Sequence, residues 1–61
     1  MISFNPNKKE LKFDGKIYEN VITIKETQNY YEVIFRDGEI SKPLFRFPIS
    51  RTIIHYSYEQ D

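Results

Sequence analysis

The chain has 61 residues, with nine basic and nine acidic side chains, no net charge at pH 7 and no Cys. This length predicts one small domain, residues 1–61, of the size that buries only about 60% of its unfolded surface. The charge balance disfavours non-specific binding to nucleic-acid phosphates. Without Cys the chain has neither a disulfide nor a thiolate metal site, and its single His cannot build a zinc site alone. We therefore expect no metal and no cofactor.

The composition is typical of β-strands. Nine Ile and two Val stand against two Leu and no Ala, and five Phe and five Tyr supply the aromatic rings. β-branched and aromatic residues favour a pleated surface, whereas the strongest helix formers are nearly absent. No apolar run reaches membrane-spanning length and no signal peptide is recognisable, so we expect a cytoplasmic protein that makes no membrane contact.

The first third of the chain predicts short strands joined by tight turns. Residues 1–4 fit a strand, and Asn5-Pro6-Asn7 fits a turn. Residues 11–18 predict a hairpin about Asp14-Gly15, because Gly accepts the positive φ that a two-residue turn needs. The apolar phase changes at Glu19-Asn20, which predicts a bulge or bend before a strand over residues 21–24.

A second hairpin, residues 30–48 about Asp37-Gly38, forms the predicted centre of the fold. Before the turn, Tyr31, Val33 and Phe35 alternate with more polar residues and are assigned to the core face. After it, Pro43 cannot donate a ladder hydrogen bond, so it marks an edge, a bulge or a break. Phe45 and Phe47 share a face, which alternation predicts to be buried.

The last predicted strand spans residues 52–58. Ile54, Tyr56 and Tyr58 fall on one face of it, and Ile53 and His55 fall on the other. Residues 59–61 read as an acidic, frayed tail. The whole pattern predicts an all-β fold: a small antiparallel meander of five or six short strands, curled into a compact, SH3-like barrel or half-barrel that hides sheet edges.

The sequence argues against an enzyme. His55 is the strongest candidate for acid–base chemistry, but it has no Cys partner, and no Ser lies in a nucleophile-elbow context. The simpler interpretation, which we favour, is that His55 is a strand residue on the less buried face with no chemical role. Asp14 and Asp37 lie at predicted turns, where carboxylates are ordinarily solvated.

Three kinds of binding function remain open. Phe45-Arg46-Phe47 and several Tyr could stack on single-stranded nucleic acid, but the usual basic excess is missing, and a core this small needs those rings. Tyr and Arg are also enriched in protein interfaces, and a strand edge near Pro43 could accept a partner strand. The third possibility is a structural subunit that forms a homo-oligomer through its strand edges. The candidate partner-binding residues are Tyr30, Arg36, Arg46, Arg51, His55 and Tyr58.

A run of spaced motifs crosses the central hairpin: Asp37-Gly38, Ile40-Ser41, Pro43-Leu44 and Phe47-Pro48. With the alternating strand before it, this run resembles a family of small bacterial domains known as domain of unknown function two-four-four-two. Ile54-His55-Tyr56, followed by Glu59 and Asp61, is similar to the family's Ile-His-Trp and acidic cluster. The chain departs from the family in having Arg46 where Trp is common, and in lacking a helical stretch after Pro48.

The resemblance covers about half of the chain and implies no catalytic residues. Some members of the family lie beside a toxin-like partner in two-gene modules and look like antitoxins. Together with the small size and neutral charge, this predicts a non-enzymatic protein-binding module. It would act as an antitoxin-like inhibitor, or as one encoded by a phage or other mobile element, by occluding a partner protein. The alternative is a small-barrel nucleic-acid-binding protein in transcription or RNA handling.

Overall fold

A computed structural model describes residues 1–60, so Asp61, the last residue of the predicted domain and tail, lies outside it. Within these residues the chain forms only strands and one 3₁₀ turn, which confirms the all-β class. The elements are β1 (Ile2–Asn5), β2 (Glu10–Phe13), β3 (Lys16–Tyr18), β4 (Val21–Glu26), β5 (Tyr30–Asp37), β6 (Ile40–Pro48), the 3₁₀ turn (Ile49–Arg51) and β7 (Ile54–Tyr56).

The seven strands form two sheets rather than one meander. Sheet A has the order β3-β2-β1-β7, and sheet B has the order β4-β5-β6. In residues 1–60 their hydrogen-bonded ladders do not close into a barrel, so the SH3-like barrel is not confirmed. The last strand also differs from the expectation: β7 is only three residues long and runs parallel to β1, pairing Ile54 with Ile2. It completes sheet A because the other side of β1 is already occupied by β2.

The turns follow local chemistry, with one shift. Asp14 and Gly15 form the β2–β3 turn with φ of 53° and 75°, as predicted, and Asn20 takes φ of 63° at the predicted bend before β4. The central turn is displaced by one residue, because Asp37 still pairs with Ile40 in the ladder. Its two turn residues are therefore Gly38 and Glu39, and only Gly38, with φ of 66°, needs a left-handed backbone.

Pro43 lies at a bulge on an edge strand, and the strand continues past it. On β5, Ile34 pairs with Pro43 but its neighbour Val33 pairs with Phe45, which leaves Leu44 as the extra residue of β6. A bulge reverses the alternation of side chains along the strand that carries it. The reversal places Phe45 opposite the fully buried Val33.

The core lies between the two sheets. Its fully or nearly buried side chains are Ile2, Phe4, Leu11, Val21 and Val33. Four rings pack against it and one another, and we call them the interior aromatic group: Phe13, Tyr18, Phe45 and Phe47. Their centroids lie 4.9 Å apart for Phe13 and Phe47 and 5.1 Å apart for Tyr18 and Phe45. Val33 is fully buried and Phe35 is half-buried against the core, in agreement with the predicted core face of β5, and Tyr31 is half-buried too.

Candidate protein-binding surface

The outer face of sheet B carries a group of polar and aromatic side chains that contact one another. Val33 points into the core, so its neighbours in alternation, Glu32 on one side and Ile34 on the other, point outward. Tyr30 lies on the same outward face of β5, two residues before Glu32. On β6, Arg46 is the residue directly paired with Glu32.

Tyr30, Glu32 and Arg46 form one constellation, which we call the Tyr30–Arg46 surface. The Arg46 Nε donates a hydrogen bond of 2.8 Å to Glu32 Oε2, and the guanidinium carbon lies 5.0 Å from the centroid of the Tyr30 ring. The Glu32 side chain is 14% exposed, whereas that of Arg46 is 61% exposed. Arg46 therefore covers the carboxylate and presents its own outer side to solvent.

The electrostatics of this surface favour a fixed positive group. The hydrogen bond to Glu32 is the main cause that raises the pKa of Arg46, and the Tyr30 phenol and the Glu32 charge add to it. Within residues 1–60 the guanidinium makes no other hydrogen bond. Its remaining N–H donors are thus held in place and available to a carboxylate or carbonyl of a partner.

The other predicted site residues do not join this surface. Arg36 lies further along β5, where its Nε donates a hydrogen bond of 3.0 Å to the Gly38 carbonyl in the β5–β6 turn. Arg51 lies in the 3₁₀ turn and His55 in the middle of β7, both exposed. Tyr58 follows β7. Of the six candidates, the structure brings only Tyr30 and Arg46 together.

Glu32 is the member of the surface that the sequence analysis missed. Counting residues back from the Gly38-Glu39 turn without a bulge would place Phe45, not Arg46, opposite Glu32. The extra residue Leu44 moves Arg46 into that position. The only hint in the sequence was Pro43, which predicted a bulge as one of three outcomes.

Tyr56 and Tyr58 form an exposed aromatic pair at the end of sheet A, which we call the rim pair. Their rings stack with centroids 6.4 Å apart, and Tyr56 also meets Phe4 edge-on at 5.9 Å. Desolvation is the largest cause that raises the pKa of Tyr56, followed by the charges of Tyr58, Tyr31 and Glu26. Because the Glu26 carboxylate close to Tyr56 would repel phosphates, the rim pair is poorly suited to binding a nucleic-acid backbone.

Two recesses lie elsewhere on the described part of the chain. One, of about 60 Å³, is polar and is lined by residues such as Ser3, Asn5 and Glu10. The other, of about 180 Å³, is shallow and lies between Phe13, Phe47 and Arg51. In the part of the chain described, no group of three or more His, Asp or Glu side chains is placed to hold a metal ion. No helix among these residues is long and apolar enough to cross a membrane.

Comparison with protein-family models, with curated proteins and with solved structures gives no match for this chain. The resemblance of the central hairpin to the uncharacterised bacterial family therefore stays a prediction.

Proposed function

We propose that the protein is a non-enzymatic binding module that recognises another protein through the Tyr30–Arg46 surface. The observation that carries the proposal is the constellation itself: an exposed guanidinium held by Glu32 and stacked near the Tyr30 ring. Pre-organised Arg and Tyr side chains are the types that dominate protein interfaces, because less side-chain entropy is lost when they bind.

The disposition of the aromatic rings supports a protein partner over a nucleic acid. Phe45 and Phe47, the rings adjacent to Arg46 in sequence, are partly buried and pack against Phe13, which leaves them little free face for base stacking. A chain with no net charge also lacks the field that draws proteins onto phosphate backbones.

The proposed mechanism is occlusion of a partner's functional site by this face of sheet B, on a scaffold that we propose is an SH3-like half-barrel. The proposal of an antitoxin-like role, or of an inhibitor encoded by a phage or other mobile element, rests on the family resemblance together with the small size. A cytoplasmic location belongs to the same proposal. The contact would pair the free donors of Arg46 with an acidic group of the partner, and Tyr30 with an apolar neighbour of that group.

The test is capture of a partner from nuclease-treated host lysate, followed by affinity measurement with variants. Arg46→Ala and Tyr30→Ala should each weaken the complex by about 5- to 100-fold while the far-ultraviolet spectrum and the melting temperature stay close to wild type. Lys42→Ala is the matched control, because Lys42 is an exposed cation of the same strand whose ion pair, with Asp37, lies away from the constellation. It should leave the affinity unchanged.

The competing functions predict different results. Partners that disappear after nuclease treatment would move the assignment to nucleic-acid binding. A captured protein whose affinity is equally insensitive to Arg46→Ala, Tyr30→Ala and Lys42→Ala would contradict the proposed surface.

A further inference from the structure

In the described part of the chain the two open sheets leave four edge strands, and three of these carry features that block pairing with another chain. In sheet A, β3 begins with Lys16; in sheet B, β4 ends with Lys25-Glu26, and β6 contains Lys42, Pro43 and a bulge. Charged residues, Pro and bulges are the usual means by which an edge avoids a partner strand. The fourth edge, β7, has none of these along its three residues, Ile54, His55 and Tyr56.

The hydrogen bonds to β1 determine which backbone groups of β7 remain open. The Ile53 carbonyl accepts from the Ile2 N–H at 3.4 Å, and the Ser57 N–H donates to the Phe4 carbonyl at 2.9 Å. Residues of a strand alternate in the direction of their backbone groups. Ile53, His55 and Ser57 thus face β1, whereas the N–H and C=O groups of Ile54 and Tyr56 point away from the sheet.

The surroundings of this edge are apolar and accessible. Ile53, directly before β7, is 77% exposed, and Tyr58, two residues after its end, is 65% exposed. Among the described residues, the segment after Tyr56 is held by side chains near β1 and does not fold back over the edge. Asn7 Nδ2 donates to the Tyr58 carbonyl at 2.9 Å, and Asn5 Nδ2 donates to the Glu59 carbonyl at 3.0 Å.

We propose that β7 pairs with β7 of a second copy of this chain, antiparallel and about a two-fold axis. Because Ile54 and Tyr56 carry the outward backbone groups, Ile54 of one copy exchanges hydrogen bonds with Tyr56 of the other. This register places the two His55 side chains opposite each other on the axis. The pairing joins two four-stranded sheets into one continuous sheet.

The occupant is a second copy because the strand is complementary to itself in this register. Each Ile54 meets a Tyr56 ring, an apolar and aromatic cross-strand pair of the kind that stabilises sheets. No Lys, Arg, Asp or Glu lies between Thr52 and Tyr58, so the symmetric pairing brings no formal charges of equal sign together. The two-fold axis also ends the assembly at a dimer, since both β7 edges are then used.

The first experiment places charges on the axis. His55→Glu and His55→Lys should each abolish the dimer in analytical ultracentrifugation, because equal charges then lie opposite each other. A mixture of the two variants should restore a dimer that contains one chain of each. Ile17→Glu and Ile17→Lys are the matched controls, because Ile17 is 57% exposed on β3, the opposite edge of the same sheet, and should leave the dimer intact.

The second experiment uses the absence of Cys in the natural chain. Opposed residues at such an antiparallel position have Cβ atoms about 4.5–5.5 Å apart, close to disulfide distance. His55→Cys should therefore cross-link into a covalent dimer on mild oxidation, whereas Ile17→Cys should remain a free thiol. Circular dichroism of every variant verifies that the fold is retained.

Three results would overturn the proposal. The wild-type chain could stay monomeric up to millimolar concentration, the mixed His55→Glu and His55→Lys chains could fail to associate, or Ile17→Cys could cross-link as readily as His55→Cys. An interface this small belongs to the weak class, so the concentration series must extend to the millimolar range.

Discussion

Two short segments of this chain have the same pattern of aromatic residues, but the rings are packed inside the fold in one segment and exposed in the other. Phe45-Arg46-Phe47 and Tyr56-Ser57-Tyr58 each place one residue between two rings. In the first, both rings belong to the interior aromatic group and the middle residue points to solvent. In the second, both rings form the rim pair and are 44% and 65% exposed. Alternation thus fixes which residues share a face, but not whether another sheet covers that face.

The difference arises from the position of each strand in the fold. The inner face of β6 lies against β2 and β3, whose Phe13 and Tyr18 rings meet Phe45 at 5.8 and 5.1 Å. β7 is the edge of sheet A, and Tyr58 lies beyond its end. The residue types fit these positions, because a Phe ring has no polar group that burial would leave without a partner, whereas a Tyr hydroxyl needs water or a partner.

The largest expected effect comes from truncating an interior ring. Phe45→Ala removes contacts with Phe13, Tyr18 and Phe47 and should lower the free energy of unfolding by about 2–4 kcal/mol in urea titration. Tyr58→Ala is the matched control in the rim pair and should change it by no more than about 0.5 kcal/mol. Equal losses in the two variants would remove the distinction between the two aromatic groups.

The next effect concerns the side chain that holds the segment carrying Tyr58. Asn5 is 9% exposed; its Oδ1 accepts from the N–H groups of Asn7 and Lys8 at 2.9 and 3.0 Å, and its Nδ2 binds the Glu59 carbonyl. Asn5→Ala removes these three part-buried hydrogen bonds and should cost about 1–2 kcal/mol in thermal or urea unfolding. Faster hydrogen exchange of the amides after Tyr56 should accompany it.

Asn7 is exposed, and Asn7→Ala removes only the hydrogen bond to the Tyr58 carbonyl. It should therefore lower the free energy of unfolding clearly less than Asn5→Ala. A loss as large in Asn7→Ala would mean that the buried position of Asn5 is not what matters. Of the predicted frayed tail, residues 59–61, Glu59 is held through its carbonyl by Asn5. Asp61 lies outside the described residues.

The smallest effect is confined to alkaline pH. Because the folded state raises the pKa of Tyr56 above its usual value near 10, the unfolded chain loses this proton first as the pH rises. The stabilisation is complete below pH ~10 and decreases as the pH rises through the folded pKa. Tyr56→Phe should therefore resemble wild type near pH 7 and lose less stability above pH ~10 in denaturant titrations. Parallel curves for the two chains across that range would contradict it.

Local chemistry made much of this fold predictable. Asp14 and Gly15 form one two-residue turn, and Gly38 is the first residue of another. Asn20 bends the chain where the apolar phase changes, and Pro43 marks a bulge. Phe45 and Phe47 pack against the core as alternation indicated. The predicted site was only partly assembled, because its six residues are spread over sheet B, the 3₁₀ turn, β7 and the segment after β7, and only Tyr30 and Arg46 meet.

What the sequence by itself determined is the identity of the strands and turns, since φ preferences and side-chain alternation act over a few residues. What only the tertiary structure decided is how distant strands meet. The parallel pairing of β7 with β1 joins opposite ends of the chain. The contact of Arg46 with Glu32 depends on one extra residue in a ladder. Both depend on the packing of two sheets over a shared core, a free energy that no single segment of the chain contains.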